Sequence, residues 1–163
     1  MQTPAEKLAE LLTKYEVRVV FAESCTAGLV AATVARVPGI SHALCGSVVT
    51  YRESMKTTWL NVDPRTLEEK TAVSAEVTEQ MVSSVMERTE EASFGAAITG
   101  HLGPNAPEGL DGVIFVSLAR RNHGSPLQVQ TLRHQLRRTG REARQCEAVE
   151  YVLEDLSAWI PLA

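Results

Sequence analysis

Cysteine and histidine are sparse in this 163-residue sequence, and neither occurs in a pattern that holds metal or forms disulfides. The three cysteines, Cys25, Cys45 and Cys146, are far apart and contain no C-x-x-C pair. The four histidines, His42, His101, His123 and His134, contain no H-x-x-x-H pair. Such spacing argues against a disulfide framework and predicts no metal site, and the cysteine usage is typical of a reducing cytoplasm.

Long apolar runs and an excess of positive charge are also missing. No segment has the roughly 20 apolar residues of a membrane-spanning helix, and the opening MQTPAEKLAE lacks the basic and apolar regions of a signal peptide. The net charge of −4 provides no basic face for nucleic acid. We therefore expect a cytoplasmic protein that binds neither membrane nor nucleic acid. The basic segment RHQLRRTGREAR, residues 133–144, is either a solvated helix start or a specific anion-binding group.

The remaining pattern predicts one α/β domain over residues 1–163, because apolar β-type runs alternate with amphipathic segments. Helices are expected at 3–15, 26–37, 64–70, from 75 onward and at 141–159, and strands at 17–22, 43–51, 94–99, 112–119 and 126–134. Thr3 and Ser74 are the expected N-caps, Thr3 in a capping box with Glu6. A hairpin is expected around RRNHGS, and the sheet should be mixed and covered on both faces.

A group of polar residues, Glu23, Ser24, Cys25 and Thr26, follows the first predicted strand. In open α/β sheets ligands bind beyond the carboxyl ends of strands, where helix N-termini present unpaired N–H groups. The functional interpretation is a binding or catalytic site at this point. The alternative is that Ser24 or Thr26 only caps the next helix, although a cap does not explain why Glu23 accompanies them.

A serine nucleophile needs a base, and no histidine has an evident partner. A lysine kept neutral by burial could serve, as in Ser-Lys hydrolases. Lys56 follows the second predicted strand and should lie at the same edge of the sheet as Ser24, with Tyr51 placed to relay a proton or orient either group. Taken alone, however, a lysine at such a position is usually a surface residue.

Four motifs in this order resemble the CinA carboxy-terminal domain, a family that includes bacterial nicotinamide-nucleotide amidohydrolases. They are AESCTAG at 22–28, GSVVTY at 46–51 followed by Lys56, TAVSAEV at 71–77, and AAITGHLGP at 96–104. The resemblance extends from about Leu8 to Leu156. The long form of the family carries a further amino-terminal domain, so this chain resembles the stand-alone form.

The resemblance implies a three-layer α/β/α sandwich with a mixed, mostly parallel sheet, associating as a homodimer. It implies hydrolysis of nicotinamide mononucleotide to nicotinate mononucleotide and ammonia, a small-molecule reaction without metal or organic cofactor. Ser24 would be the nucleophile, activated by Lys56 and Tyr51. The substrate contacts implied or suggested are Thr26, Gly28, Thr99, Gly100 and, from the basic segment, Arg141.

The sequence also departs from the family pattern. Ala27 stands where the family has a glycine, Arg52 and Glu53 replace Ser-Asn after Tyr51, the loop after Pro104 is poorer in glycine and lysine, and the Gly-x-Arg before the last helix is displaced. Two alternatives therefore remain beside the amidohydrolase: a non-catalytic member that binds a nucleotide, and a Ser-Lys hydrolase of another small amide or ester.

Overall fold

The computed structural model describes residues 1–122 and 124–162 and contains a five-stranded sheet between two layers of helices. The strands are β1 (Val19–Glu23), β2 (Leu44–Val49), β3 (Phe94–Gly100), β4 (Val113–Arg120) and β5 (Gln128–Gln135). The helices are α1 (Pro4–Lys14), α2 (Leu29–Val34), α3 (Glu53–Leu60), α4 (Pro64–Lys70), α5 (Ala75–Glu87) and α6 (Arg141–Trp159). The predicted hairpin residue His123 lies outside the described residues.

The sheet has the strand order β2-β1-β3-β4-β5, with β1 parallel to both β2 and β3. Strand β4 is antiparallel to both β3 and β5, so it alone runs against the other four. This confirms the mixed, mostly parallel sheet. The carboxyl ends of β1, β2 and β3 consequently meet at one edge of the sheet, which is where the sequence placed its candidate site.

The two helical layers pack on opposite faces of the sheet and confirm the three-layer architecture. Helices α1, α2 and α6 cover one face, and α3, α4 and α5 cover the other. Strand β1 is buried on both faces, since Phe21 contacts the first layer while Val20 and Ala22 contact the second. Burial of a side chain as large as Phe21 contributes about 1.5–3 kcal/mol, which holds the carboxyl end of β1 in a rigid position.

The local signals read from the sequence set two helix starts correctly. Thr3 and Glu6 form the capping box of α1, and the Ser74 hydroxyl accepts from the Val77 N–H at the start of α5. Helix α2, however, begins at Leu29 rather than Thr26, after a turn.

The sequence predicted no helix between β2 and α4, and the structure corrects this, because Glu53–Leu60 form helix α3. Its N-cap Arg52 makes no side-chain cap bond, and it contains two adjacent β-branched threonines, so its local helix signals are weak. Burial of Leu60 and of the apolar stem of Lys56 against the rest of the molecule outweighs that weak propensity.

Candidate active site

Ser24 and Lys56 are in direct contact at the carboxyl edge of the sheet. Ser24 directly follows β1, and Lys56 lies on α3, 32 residues later. The Lys56 Nζ atom is 2.9 Å from the Ser24 Oγ atom, and the Lys56 residue is only 1% exposed. The sequence expectation that both residues lie at this edge is therefore met, and Lys56 is not the surface residue that its type alone suggests.

Burial shifts the protonation equilibrium of Lys56 toward the neutral form. The ammonium would be stripped of water here, and this lowers the pKa of Lys56 to about 8, although the nearby Glu53 carboxylate opposes the shift. Its second hydrogen bond goes to a neutral acceptor, the Thr50 carbonyl oxygen at 2.7 Å. Among the described residues no carboxylate lies within ion-pairing distance of Lys56. Neutral Lys56 can therefore accept the Ser24 hydroxyl proton.

Glu23, directly before Ser24, is the true cap of helix α2. Its carboxylate is fully buried and accepts five hydrogen bonds of 2.7–3.0 Å, from the hydroxyls of Thr26 and Ser47 and the backbone N–H groups of Gly28, Val30 and Ala31. The alternative interpretation, in which Ser24 or Thr26 caps this helix, is therefore wrong. The α2 N-terminus also cannot serve as an anion site for a ligand, since the protein's own carboxylate already occupies those donors.

The turn between Ser24 and α2 brings the N–H groups of α2 back to Glu23. Ala27 and Gly28 both adopt left-handed backbone conformations, with φ of 52° and 96°. Only glycine reaches this region without strain, which gives a physical reason for the glycine that the family has at the position of Ala27. Thr26, which is 1% exposed, and Gly28 were expected to contact substrate, but their hydroxyl and N–H donors are engaged by Glu23.

Thr99 and Gly100 end β3 beside the Ser24 turn, and they differ in access to the site. The Thr99 hydroxyl is fully buried and lies 2.8 Å from the Thr78 hydroxyl, so it faces α5 rather than the cavity. Gly100 lines the cavity. A Cβ atom at Gly100 would come within 2.5 Å of Ile114 Cγ2 and 3.2 Å of Cys25 Sγ, so a side chain at this position would clash with β4 and crowd Cys25.

Tyr51 and Arg141 form a pair at the mouth of the site. The Arg141 guanidinium donates to the Tyr51 hydroxyl and to the Gly103 carbonyl, both at 2.7 Å. Both acceptors are uncharged, so the positive charge of Arg141 is not neutralised by them. Within the described residues the Tyr51 hydroxyl makes no hydrogen bond to Ser24 or Lys56. The structure thus links Tyr51 to the basic segment rather than to the proposed nucleophile.

A cavity of about 240 Å³ joins these groups, being lined by Ser24, Tyr51, Lys56, Gly100 and Arg141 together with Cys25, Glu53 and His101. Cys25 and His101 belong to two of the four motifs, and Glu53 was noted as a departure from the family pattern, but neither Glu53 nor His101 was predicted as a site residue. The His101 Nε2 atom is buried and has no hydrogen-bond partner in the part of the chain that the structure describes, and burial lowers the pKa of its ring. Its position directly after Gly100 at the carboxyl end of β3 was the available signal.

Cys25 lies beside Ser24 but does not compete with it as a nucleophile. Burial raises the pKa of the Cys25 thiol to about 12, so the reactive thiolate is absent at neutral pH. In residues 1–122 and 124–162, no group of three or more His, Cys, Asp or Glu side chains is arranged to hold a metal ion. Over the same residues, no helix combines the length and the apolarity needed to cross a membrane.

Comparison with known proteins gives matches over nearly the whole chain. The model of the CinA C-terminal domain matches residues 1–160. A protein of Halalkalibacterium halodurans named as competence-damage inducible is 37% identical over 136 residues, which cover 81% of this chain and 32% of that protein. A CinA-like protein of Myxococcus xanthus is 36% identical over 71% of this chain and 28% of its own length. The chain therefore spans about a third of the length of these relatives.

Solved structures agree with the fold along its length. A CinA superfamily protein from Klebsiella pneumoniae superimposes with a TM-score of 0.90 at 26% identity, covering 99% of this chain and 100% of that one. A competence/damage inducible protein from Agrobacterium tumefaciens gives a TM-score of 0.86 at 29% identity, covering 97% and 96% of the two chains.

Proposed function

The chain belongs to the CinA C-terminal domain family, and on that premise we propose that it is a Ser-Lys amidohydrolase that converts nicotinamide mononucleotide to nicotinate mononucleotide and ammonia. The observation that supports this most strongly is the 2.9 Å contact between the Ser24 Oγ and Lys56 Nζ atoms. The lysine is buried and its pKa is lowered to about 8, which is the condition for it to act as a base.

The proposed reaction has two halves. Ser24 Oγ attacks the carboxamide carbon while its proton passes to neutral Lys56, forming a tetrahedral oxyanion. The carbon–nitrogen bond then breaks and Lys56 returns the proton to the leaving nitrogen. Ammonia departs, and the acyl group remains on Ser24 as an ester. Water, deprotonated by Lys56, attacks the ester, and Ser24 leaves with the proton as nicotinate mononucleotide is released.

Two backbone donors next to Ser24 are suited to the oxyanion. Among the described residues neither the Cys25 N–H nor the Thr26 N–H donates to a carbonyl, carboxylate or hydroxyl oxygen, whereas Ala27 N–H donates to the Ser24 carbonyl. The N–H of the residue after a nucleophile is a frequent oxyanion donor. We assign this role to the Cys25 N–H, since Cys25 lines the cavity.

The phosphate of the substrate is assigned to Arg141. Apart from Lys56, Arg141 supplies the only lysine or arginine side chain among the described cavity-lining residues. Arg138 and Arg144, also in the basic segment, are instead paired with the carboxylates of Glu150 and Asp111. Arg141 binds only uncharged acceptors and so retains its charge for an anion.

The test is ammonia release from nicotinamide mononucleotide by wild type and by Ser24→Ala. We expect wild-type turnover and a loss of about a thousandfold or more in the variant, because the attacking atom is removed. A matched control is Ser54→Ala, which removes an exposed hydroxyl from α3. If Ser24→Ala retains more than about a tenth of the rate, the nucleophile is wrong.

Two other outcomes correspond to the alternatives left by the sequence. Saturable binding of the nucleotide without ammonia release would indicate a non-catalytic binding protein. Turnover of other small amides or esters, dependent on Ser24 and without activity on the nucleotide, would indicate a different Ser-Lys hydrolase.

A further inference from the structure

Gln145 on helix α6 holds the turn that follows Ser24, although the two are about 120 residues apart in the chain. Its Nε2 atom donates to the Cys25 carbonyl oxygen at 3.2 Å and to the Thr26 carbonyl oxygen at 3.1 Å. Leu29 N–H also donates to the Thr26 carbonyl, whereas Gln145 is the sole donor to the Cys25 carbonyl within the described residues. None of the four sequence motifs contains Gln145.

The carbonyl contacts fix the directions of the N–H groups in the turn. In a trans peptide the C=O and N–H bonds point in opposite directions, so holding one sets the other. The Ser24 carbonyl accepts from Ala27 N–H at 3.1 Å, which fixes the Cys25 N–H. Gln145 fixes the next peptide, between Cys25 and Thr26, and with it the Thr26 N–H.

We propose that Gln145 is a positioning residue for catalysis. By holding the Thr26 carbonyl it orients the Ala27 N–H, which bonds the Ser24 carbonyl and thereby sets the direction of the Cys25 N–H assigned to the oxyanion. By holding the Cys25 carbonyl it also fixes the neighbouring Thr26 N–H. Without it, the peptide plane between Cys25 and Thr26 can rotate, and the donors must reorganise when the oxyanion forms. The inference rests on the proposed Ser-Lys chemistry, but not on the identity of the substrate.

Two variants remove the contact in different ways. Gln145→Glu is isosteric and replaces the donating amide by a carboxylate that two carbonyl oxygens repel. Gln145→Met keeps the length of the side chain and donates nothing. Gln80→Met is the matched control: Gln80 is likewise half-buried on a long helix and bonds Thr66 and Asp63, but it lies outside the cavity.

The first measurement is the rate at which a fluorophosphonate labels Ser24, followed by intact mass. Ser24 Oγ forms a bond to phosphorus, fluoride leaves, and the hydroxyl proton passes to Lys56, so the reaction needs the same nucleophile and oxyanion donors but no nucleotide. The second is kcat and KM for ammonia release, and thermal unfolding of each variant verifies its fold.

We expect both Gln145 variants to be labelled about tenfold or more slowly, with kcat reduced similarly and KM changed less than about threefold. In the uncharged Gln145→Met variant the pH midpoint should also stay in place. Gln80→Met should match wild type. Wild-type labelling rates in either folded Gln145 variant, or equal slowing in Gln80→Met, would overturn the inference. So would a folded wild type whose Ser24 is not labelled. Labelling without ammonia release would instead refute the proposed substrate, and the labelling rates would still decide the role of Gln145.

Discussion

Two buried charged side chains lie on either side of Ser24, and they are bonded in contrasting ways. Glu23 accepts five hydrogen bonds, three of them from backbone N–H groups at the start of α2. Lys56 makes only two, both to uncharged oxygen atoms, and no carboxylate pairs with it among the described residues. A fully bonded buried charge stabilises structure, whereas a poorly compensated one is poised to lose its charge.

On the proposed function, the contrast separates a structural group from a reactive one at the end of the same strand. Glu23 ties β1, β2 and α2 together and holds the backbone on which Ser24 sits. The surroundings of Lys56 do little to stabilise its charged ammonium form. Burial therefore lowers its pKa to a value near the pH at which a base would work. Changing each residue should therefore have opposite effects on stability.

The largest effect is expected for Lys56→Met, which keeps the apolar stem and removes the base. We expect activity to fall by about a thousandfold or more, since serine is then unactivated. At neutral pH the variant should nevertheless be more stable than wild type. A lysine pKa lowered from 10.5 to about 8 costs about 3 kcal/mol, and the loss of two hydrogen bonds offsets about 2 kcal/mol of that gain.

The measurements for Lys56 are ammonia release and urea unfolding as functions of pH, with the exposed Lys7→Met as control. Wild-type kcat/KM should rise with pH through about 8 and then level off, because the neutral amine is the active form. Because the pKa is lower in the folded state, wild-type stability should rise with pH between about 8 and 10.5, and the advantage of Lys56→Met should vanish there. A flat rate profile would contradict a lysine base.

The next largest effect is expected for Glu23→Gln, and here stability should fall. The amide keeps one acceptor oxygen but points an NH₂ group at donors that it cannot satisfy. Loss of charge-assisted hydrogen bonds and exposure of the α2 N–H groups should lower the free energy of unfolding by about 3–5 kcal/mol. Urea unfolding measures this, with Glu154→Gln as a control for one exposed negative charge on α6. An unchanged unfolding midpoint would remove the contrast between the two buried groups.

The sequence predicted much of the fold because its signals are local. The apolar runs of β1 and β3 and the caps Thr3 and Ser74 need only neighbouring residues to be recognised. The meeting of Ser24 and Lys56 followed from the rule that parallel strands end at one edge, together with the family resemblance. Helix α3 was missed because its local helix signals are weak and its formation depends on burial against the rest of the fold.

The parts of the site that sequence could not supply depend on contacts across the chain or on unusual backbone. Glu23 as a helix cap requires the left-handed pair Ala27 and Gly28, which turns the chain back on itself. Gln145 reaches the Ser24 turn only because α6 packs on the same face as α2. The first contact depends on a left-handed turn and the second on helix packing, so neither follows from local sequence signals.

Arg141→Ala should have a smaller effect, confined to the substrate's phosphate. We expect wild type to prefer nicotinamide mononucleotide over nicotinamide riboside, and the variant to lose about tenfold or more in kcat/KM on the nucleotide only. Arg141→Lys, which keeps the charge but not the two-pronged donor, should lie between the two. Equal handling of nucleotide and riboside by wild type would show that no phosphate is recognised, and would weaken the case for a nucleotide substrate.

The smallest effect is expected for Glu53→Asn, which restores the residue usual in the family at this position. Glu53 lies in the first turn of α3, and its carboxylate holds the pKa of Lys56 higher than burial alone would set it. Removing that charge should lower the pH midpoint of kcat/KM, so that more Lys56 is neutral at pH 7 and the rate there rises. Because Glu53 is exposed and acts through solvent, the gain should be a factor of about two to five.

Glu53→Gln should behave alike, and 1 M salt should reduce the difference from wild type. A pH midpoint that stays in place in both variants would mean that the Glu53 charge does not affect the pKa of Lys56. The contrast between the desolvated Lys56 and the hydrogen-bonded Glu23 would then be sharper.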